Sequence, residues 1–94
     1  MQADRIIYRV HAVERMFQRN ISTTEVSYVL ENGEVIEDYP EDSPYPSKLI
    51  LGWHGTRPLH IVAAYNAEEN LTIVITVYEP DAAQWEPDFR RRKR

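Results

Sequence analysis

Ninety-four residues with no cysteine and only three glycines describe one compact domain and leave little room for a second. Scaling of surface with mass lets about 65% of the chain's surface be buried, a workable core but a thin one, and small domains often lean on a partner. The lack of cysteine excludes a disulfide framework, a thiolate nucleophile, an iron–sulfur cluster and a cysteine-based zinc site.

The net charge of −4 averages over a steep asymmetry. Arg90, Arg91, Arg92, Lys93 and Arg94 close the chain, residues 1–24 carry +2, and residues 25–89 stand at −11. Two basic ends around an acidic middle suit either a basic partner or a locally basic contact to nucleic acid. The longest apolar runs, 61–64 and 71–77, fall far short of the roughly 20 residues of a membrane helix. The opening residues lack the plan of a signal peptide, so the expectation is a soluble cytoplasmic protein.

Residues 6–9 read as a short strand or an extended lead-in. From Val10 the pattern turns helical, with Ala12, Val13, Met16 and Phe17 on one arc and His11, Glu14, Arg15, Gln18 and Arg19 on the other. Ser22 followed by Glu25 fits a capping box, with Ile21 and Val26 as its hydrophobic staple. It opens a second helix whose apolar face is Val26, Val29 and Leu30, and Asn32-Gly33 offers a left-handed stop. Strands follow at 34–39, 48–54, 59–65 and 71–78, the last with Leu71, Ile73, Ile75 and Val77 on one face and Thr72, Val74, Thr76 and Tyr78 on the other. Short polar turns between the last three argue an antiparallel meander covered by the two helices, an α+β domain. Asp81 caps a short helical segment reaching toward Arg92, with Ala82, Trp85 and Phe89 as its packing stripe and Pro87 interrupting it.

His11, Arg15 and Arg19 recur at i, i+4 and i+8 on one helix face. Two guanidiniums so placed can grip adjacent phosphates beside a histidine that moves protons; the alternative is a solvated face with structural ion pairs. His60 interrupts an apolar strand, either as a buried neutral histidine with both nitrogens satisfied or, on an open face, as a partner of Thr76 or Tyr78. Tyr78 and Glu79 end the last strand, where tyrosine can orient a phosphate and glutamate can act as a base or fix an arginine. His11, His54 and His60 have no ligand spacing, so no metal or cofactor is expected. The basic tail, with Arg91, reads either as a disordered extension for nucleic acid or a partner, or as a segment folded back on the acidic body. A second helix without Arg or Lys is poor equipment for a DNA major groove.

The run His11-Ala12-Val13-Glu14-Arg15-Met16 with Arg19, then Val35-Ile36-Glu37-Asp38-Tyr39, Arg57-Pro58-Leu59-His60-Ile61-Val62 and Ile75-Thr76-Val77-Tyr78-Glu79-Pro80-Asp81 with Trp85, resembles domain of unknown function 4258. That family looks like a distant relative of the small type II toxins of the RelE, ParE and BrnT kinds. The resemblance implies a RelE-like toxin fold, with helices on a twisted antiparallel sheet over residues 1–89 and a basic tail at 90–94. It also implies RNA cleavage and an antitoxin protein as partner.

A metal-independent endoribonuclease needs a base, an acid and cations around the phosphate. The residues available are His11 or His60 as acid or base, Tyr78 and Glu79 as orienting groups, and Arg15, Arg19, Thr76 and Arg91 as substrate contacts. The alternative is a non-catalytic interaction protein, a partner-binding module or homodimer, motivated by the small core and acidic middle.

Overall fold

The computed structural model describes residues 5–94. Its elements run β1 Arg5–Tyr8, α1 Val10–Arg19, α2 Thr23–Asn32, β2 Glu34–Tyr39, β3 Ser47–His54, β4 Arg57–Asn66 and β5 Leu71–Tyr78. Five strands form one sheet in the order β1-β5-β4-β3-β2. Strands β2 to β5 make the expected antiparallel meander, but β1 lies parallel to β5, so the sheet is mixed rather than antiparallel. The connection from β1 through both helices to the far edge leaves β1 free to return beside the last strand.

Local chemistry sets the helix ends. Ser22 caps α2: its hydroxyl accepts from the Glu25 N–H at 3.1 Å while Glu25 Oε1 accepts from the Ser22 N–H at 3.1 Å. Helix α1 stops at Asn20, which is left-handed at φ 54°. Gly33 ends α2 differently from expectation, in an extended conformation at φ −76°. Glycine is required there by space: a Cβ would stand 2.6 Å from the carbonyl oxygens of both Leu51 and Val29.

The core lies between the helices and one face of the sheet, built from Ala12, Met16, Ile21, Val26, Val29, Leu30, Ile50, Leu59, Ile61, Ala63, Val74 and Val77. Val13 and Phe17, expected to pack with Ala12 and Met16, are 52% and 88% exposed. The cause is the position of α1, which lies along β5 and reaches the core only through a narrow face.

Strand β5 carries a bulge. Val62 faces Thr76 and Ala63 faces Val74, so Ile75 is the extra residue. Val74 and Val77 therefore both point to the helices, while Ile73, Ile75, Thr76 and Tyr78 share the opposite, outer face. The strict alternation read from the sequence breaks at that residue.

The segment after Tyr78 is a strap across the outer face, not a helix. One turn closes from Asp81 to Gln84 and Trp85, and the chain then doubles back, with Glu86 N–H donating to the Arg91 carbonyl and Lys93 N–H to the Gln84 carbonyl, both at 2.8 Å. Pro87 sits at the reversal, and Phe89 is left-handed at φ 59°. No helix of the described residues is long and apolar enough to cross a membrane.

Candidate functional site

Helix α1 runs beside the exposed half of β5. Where β1 ends, the Arg9 N–H donates to the Val74 carbonyl at 2.9 Å. At the other end Arg57 donates to the carbonyls of Arg19 at 2.5 Å and Asn20 at 3.0 Å, and to Glu79 Oε2 at 3.4 Å. Ten helical residues span about 15 Å, and the strand from Val74 to Glu79 spans about 16 Å, so helix and strand match in length. The flank of α1 bearing His11, Arg15 and Arg19 borders the outer face at its His11 end, where His11 lines a cavity with Ile73 and Ile75. The His11 side chain is 91% exposed, with Glu14 3.9 Å away, and Arg15 and Arg19 have no carboxylate partner among the described residues.

Two other predicted residues pair on the same face. His60 is fully buried, between Tyr78 and the strap. Its Nε2 lies 2.8 Å from the Phe89 carbonyl and its Nδ1 3.1 Å from the Tyr78 hydroxyl. A carbonyl only accepts, so Nε2 carries the proton and Nδ1 accepts from Tyr78. The Trp85 ring meets the imidazole edge-on with centroids 4.4 Å apart, and Arg92 sits 5.0 Å over Trp85. Burial pulls the imidazole pKa below its ordinary 6.5, against the pull of the Phe89 carbonyl and Glu37. The phenol of Tyr78 is pushed up by burial, with Arg92 opposing. Tyr39, which donates to Glu37 on the same face, is pushed up to about 12, by burial first and then by that carboxylate. His60 thus takes the buried alternative, with both nitrogens satisfied and Tyr78 as one of the two partners, and its ring is closed to a substrate while the strap is in place.

Glu79 belongs to a different corner. Arg57, with 27% of its side chain exposed, binds Glu79, Glu25 and the end of α1 together. Burial raises the Glu25 carboxyl, but the Ser22 hydrogen bonds and the Arg57 and His54 charges outweigh it and hold its pKa below the ordinary value. By sequence Arg57 falls in the turn between the strands expected at 48–54 and 59–65. The available signal was its charge, since Lys48 and Arg57 are the only cations in the acidic middle.

Thr76 lies half-buried on the outer face opposite Val62. Arg91 is exposed on the strap beside Glu86 and Arg92. The tail is anchored rather than free: Arg90 pairs with Glu34 at 2.5 Å, and the Phe89 ring meets Trp53 with centroids 5.7 Å apart. His11, His60 and Glu79 therefore occupy three separate stations around β5, and among the described residues no three His, Asp or Glu side chains gather in a metal-ligating group.

The cavity beside α1 measures about 300 Å³ and is lined by Arg9, His11, Asp42, Ser43, Pro44, Tyr45, Ala64, Ile73 and Ile75. Arg9, Asp42 and Tyr45 come together only in the fold, which brings the acidic loop against the start of α1. No curated protein and no solved structure matches the chain. A family profile described as Domain of unknown function (DUF4258) matches residues 8–79. That stretch holds both helices, the whole antiparallel meander and the His60–Tyr78 and Arg57–Glu79 pairs, and on this match the chain belongs to the DUF4258 family.

Proposed function

We propose that the chain is a toxin-like endoribonuclease that cleaves RNA without a metal ion. The observation that carries this reading is the basic flank of α1, with exposed His11, Arg15 and Arg19, set beside the strand that bears Thr76 and Tyr78. Arg15 and Arg19, free of carboxylate partners among the described residues, suit adjacent phosphates. In the reaction the ribose 2′-oxygen attacks phosphorus and gives its proton to a base. The bond to the 5′-oxygen breaks, that oxygen takes a proton from an acid, and a 2′,3′-cyclic phosphate remains. His11 is the exposed group suited to one of these transfers. His60 acts as a positioning residue that fixes the Tyr78 hydroxyl, while Glu79 is held by Arg57 at the far end of the helix. Arg91 and Arg92 bring the strap's positive charge to the same face, where Arg92 already acts on the Tyr78 phenol. Incubation of the purified protein with mixed-sequence RNA in a chelating buffer tests the reading. Cyclic-phosphate ends are expected, and they should fall at least tenfold for His11→Ala, Arg15→Ala; no cleavage, or equal cleavage by the double variant, overturns it.

The non-catalytic reading draws on a separate observation. Val10, Val13 and Phe17 leave an apolar stripe on α1 that is 71%, 52% and 88% exposed. Sedimentation of the wild type and Phe17→Ser addresses it. Self-association lost in the variant would favour a homodimer, and a monomer in both would remove that form of the reading.

A further inference from the structure

We propose that the cavity between the start of α1 and the 42–45 loop is a guanine-binding site, with Asp42 as the residue that selects the base. The proposal deepens the RNA reading and rests on it for the source of the guanine. The volume of about 300 Å³ lies at the lower end of the range for small-ligand sites, enough for one nucleotide rather than a larger cofactor. Its floor is apolar, from Ile73 and Ile75 on the outer face of β5, which suits the flat face of a base. Tyr45 is a fixed wall: its hydroxyl accepts from the Asn66 amide at 3.0 Å, and Asn66 Oδ1 in turn accepts from the Glu68 N–H at 3.1 Å. A wall held in this way loses little freedom when a base stacks on it.

The polar rim divides by charge. Arg9 supplies a cation and His11 a ring N–H donor for a phosphate, and Asp42 supplies a carboxylate. Asp42 is already oriented, because its Oδ2 accepts from the buried Ser47 hydroxyl at 2.5 Å. A carboxylate has about four lone-pair sites, so both oxygens retain capacity. Guanine alone among the four RNA bases presents two neighbouring N–H donors, at N1 and N2, and so matches both oxygens at once. Adenine and cytosine place a ring acceptor beside their amine, and uracil flanks its single N–H with two carbonyls. Each of these sets a lone pair against the carboxylate.

Calorimetric titration with GMP, AMP, CMP and UMP at low salt tests the assignment. GMP is expected to bind at least tenfold more tightly than UMP in the wild type. Asp42→Asn should bring the four nucleotides within about twofold of one another, because an amide keeps one acceptor and adds a donor. Ser47→Ala keeps the carboxylate and should retain the guanine preference, which separates recognition from a general loss of structure. Equal affinities for the four nucleotides in the wild type, or no binding of any, overturn the proposal whatever the variants do. The pentanucleotides AAGAA and AAUAA as RNA separate the sources. GMP binding without AAGAA binding would leave a free-nucleotide site and remove its link to RNA, whereas RNA cleavage with no base preference would remove the guanine site and leave the ribonuclease reading standing.

Discussion

Tyr78 and His60 face each other across β4 and β5, and the direction of the hydrogen bond between them is set from the far side of the ring. Because the Phe89 carbonyl takes the Nε2 proton at 2.8 Å, the Tyr78 hydroxyl must donate to Nδ1 at 3.1 Å. The Nε2–H tautomer of the neutral imidazole thus satisfies all three groups at once.

The pH dependence has a definite sign. The imidazole pKa is lowered on folding, chiefly by burial, so between that value and the ordinary 6.5 the unfolded chain holds more protons than the folded one. The stabilisation is full above about pH 6.5, declines as pH falls below it, and stops declining beneath the folded pKa. Nitrogen NMR of the ring is expected to show the Nε2–H tautomer at about pH 8 and a protonation midpoint below the ordinary 6.5. A midpoint above 6.5 would refute the assignment. Tyr78→Phe leaves a buried acceptor unpaired and should cost about 1–3 kcal/mol in denaturant unfolding.

Arg57 binds two backbone carbonyls and two carboxylates from three parts of the chain. Arg57→Ala should lower stability by about 1–3 kcal/mol, a range that allows for the partial exposure of the guanidinium. Arg57→Lys should recover little, because a compact ammonium cannot span the fork. Full recovery by lysine in urea denaturation would show that charge alone matters there.

Two glycines test different kinds of crowding. At Gly33 a Cβ would meet backbone oxygens of Leu51 and Val29 at 2.6 Å, whereas at Gly52 it would meet only the Val29 side chain, also at 2.6 Å. Each change to Ala should cost about 1–3 kcal/mol. In a double-mutant cycle Val29→Ala should relieve Gly52→Ala and leave Gly33→Ala unrelieved.

The strap depends on Trp85, which is 4% exposed and lies between His60 and Arg92. Trp85→Ala should cost about 3–5 kcal/mol and should open the 86–94 region to limited proteolysis first. A variant with wild-type protease resistance would mean that the Arg90–Glu34 pair and the Phe89–Trp53 contact hold the strap by themselves.

The sequence made the local features legible. Ser22 and Glu25 announce α2 because a capping box is complete within four residues. The meander was readable because polar turns separate β-rich runs. What escaped depends on residues far apart in the chain. The parallel seat of β1 is decided by β5, more than sixty residues later, and the exposure of Phe17 follows from where α1 lies on the sheet. The helix expected after Asp81 loses to contacts with Trp53, His60 and Glu34, none of which the local pattern contains. Of the site, the chemistry of His11, Arg15 and His60 was visible in their types, but the burial of His60 and the cavity at Asp42 required the fold.

The bulge at Ile75 has a consequence for inheritance. Because Ile75 is the surplus residue, deleting its codon would join Val74 to Thr76 and restore strict alternation without moving the rest of the ladder: Val74 and Val77 would still face the helices and Tyr78 would still face His60. Inserting one residue between Thr76 and Tyr78, by contrast, would turn the phenol toward the helix layer. Register, more than the identity of any one side chain, is what brings this phenol to its histidine, and the bulge is a place in β5 where a frame-preserving deletion leaves that register intact.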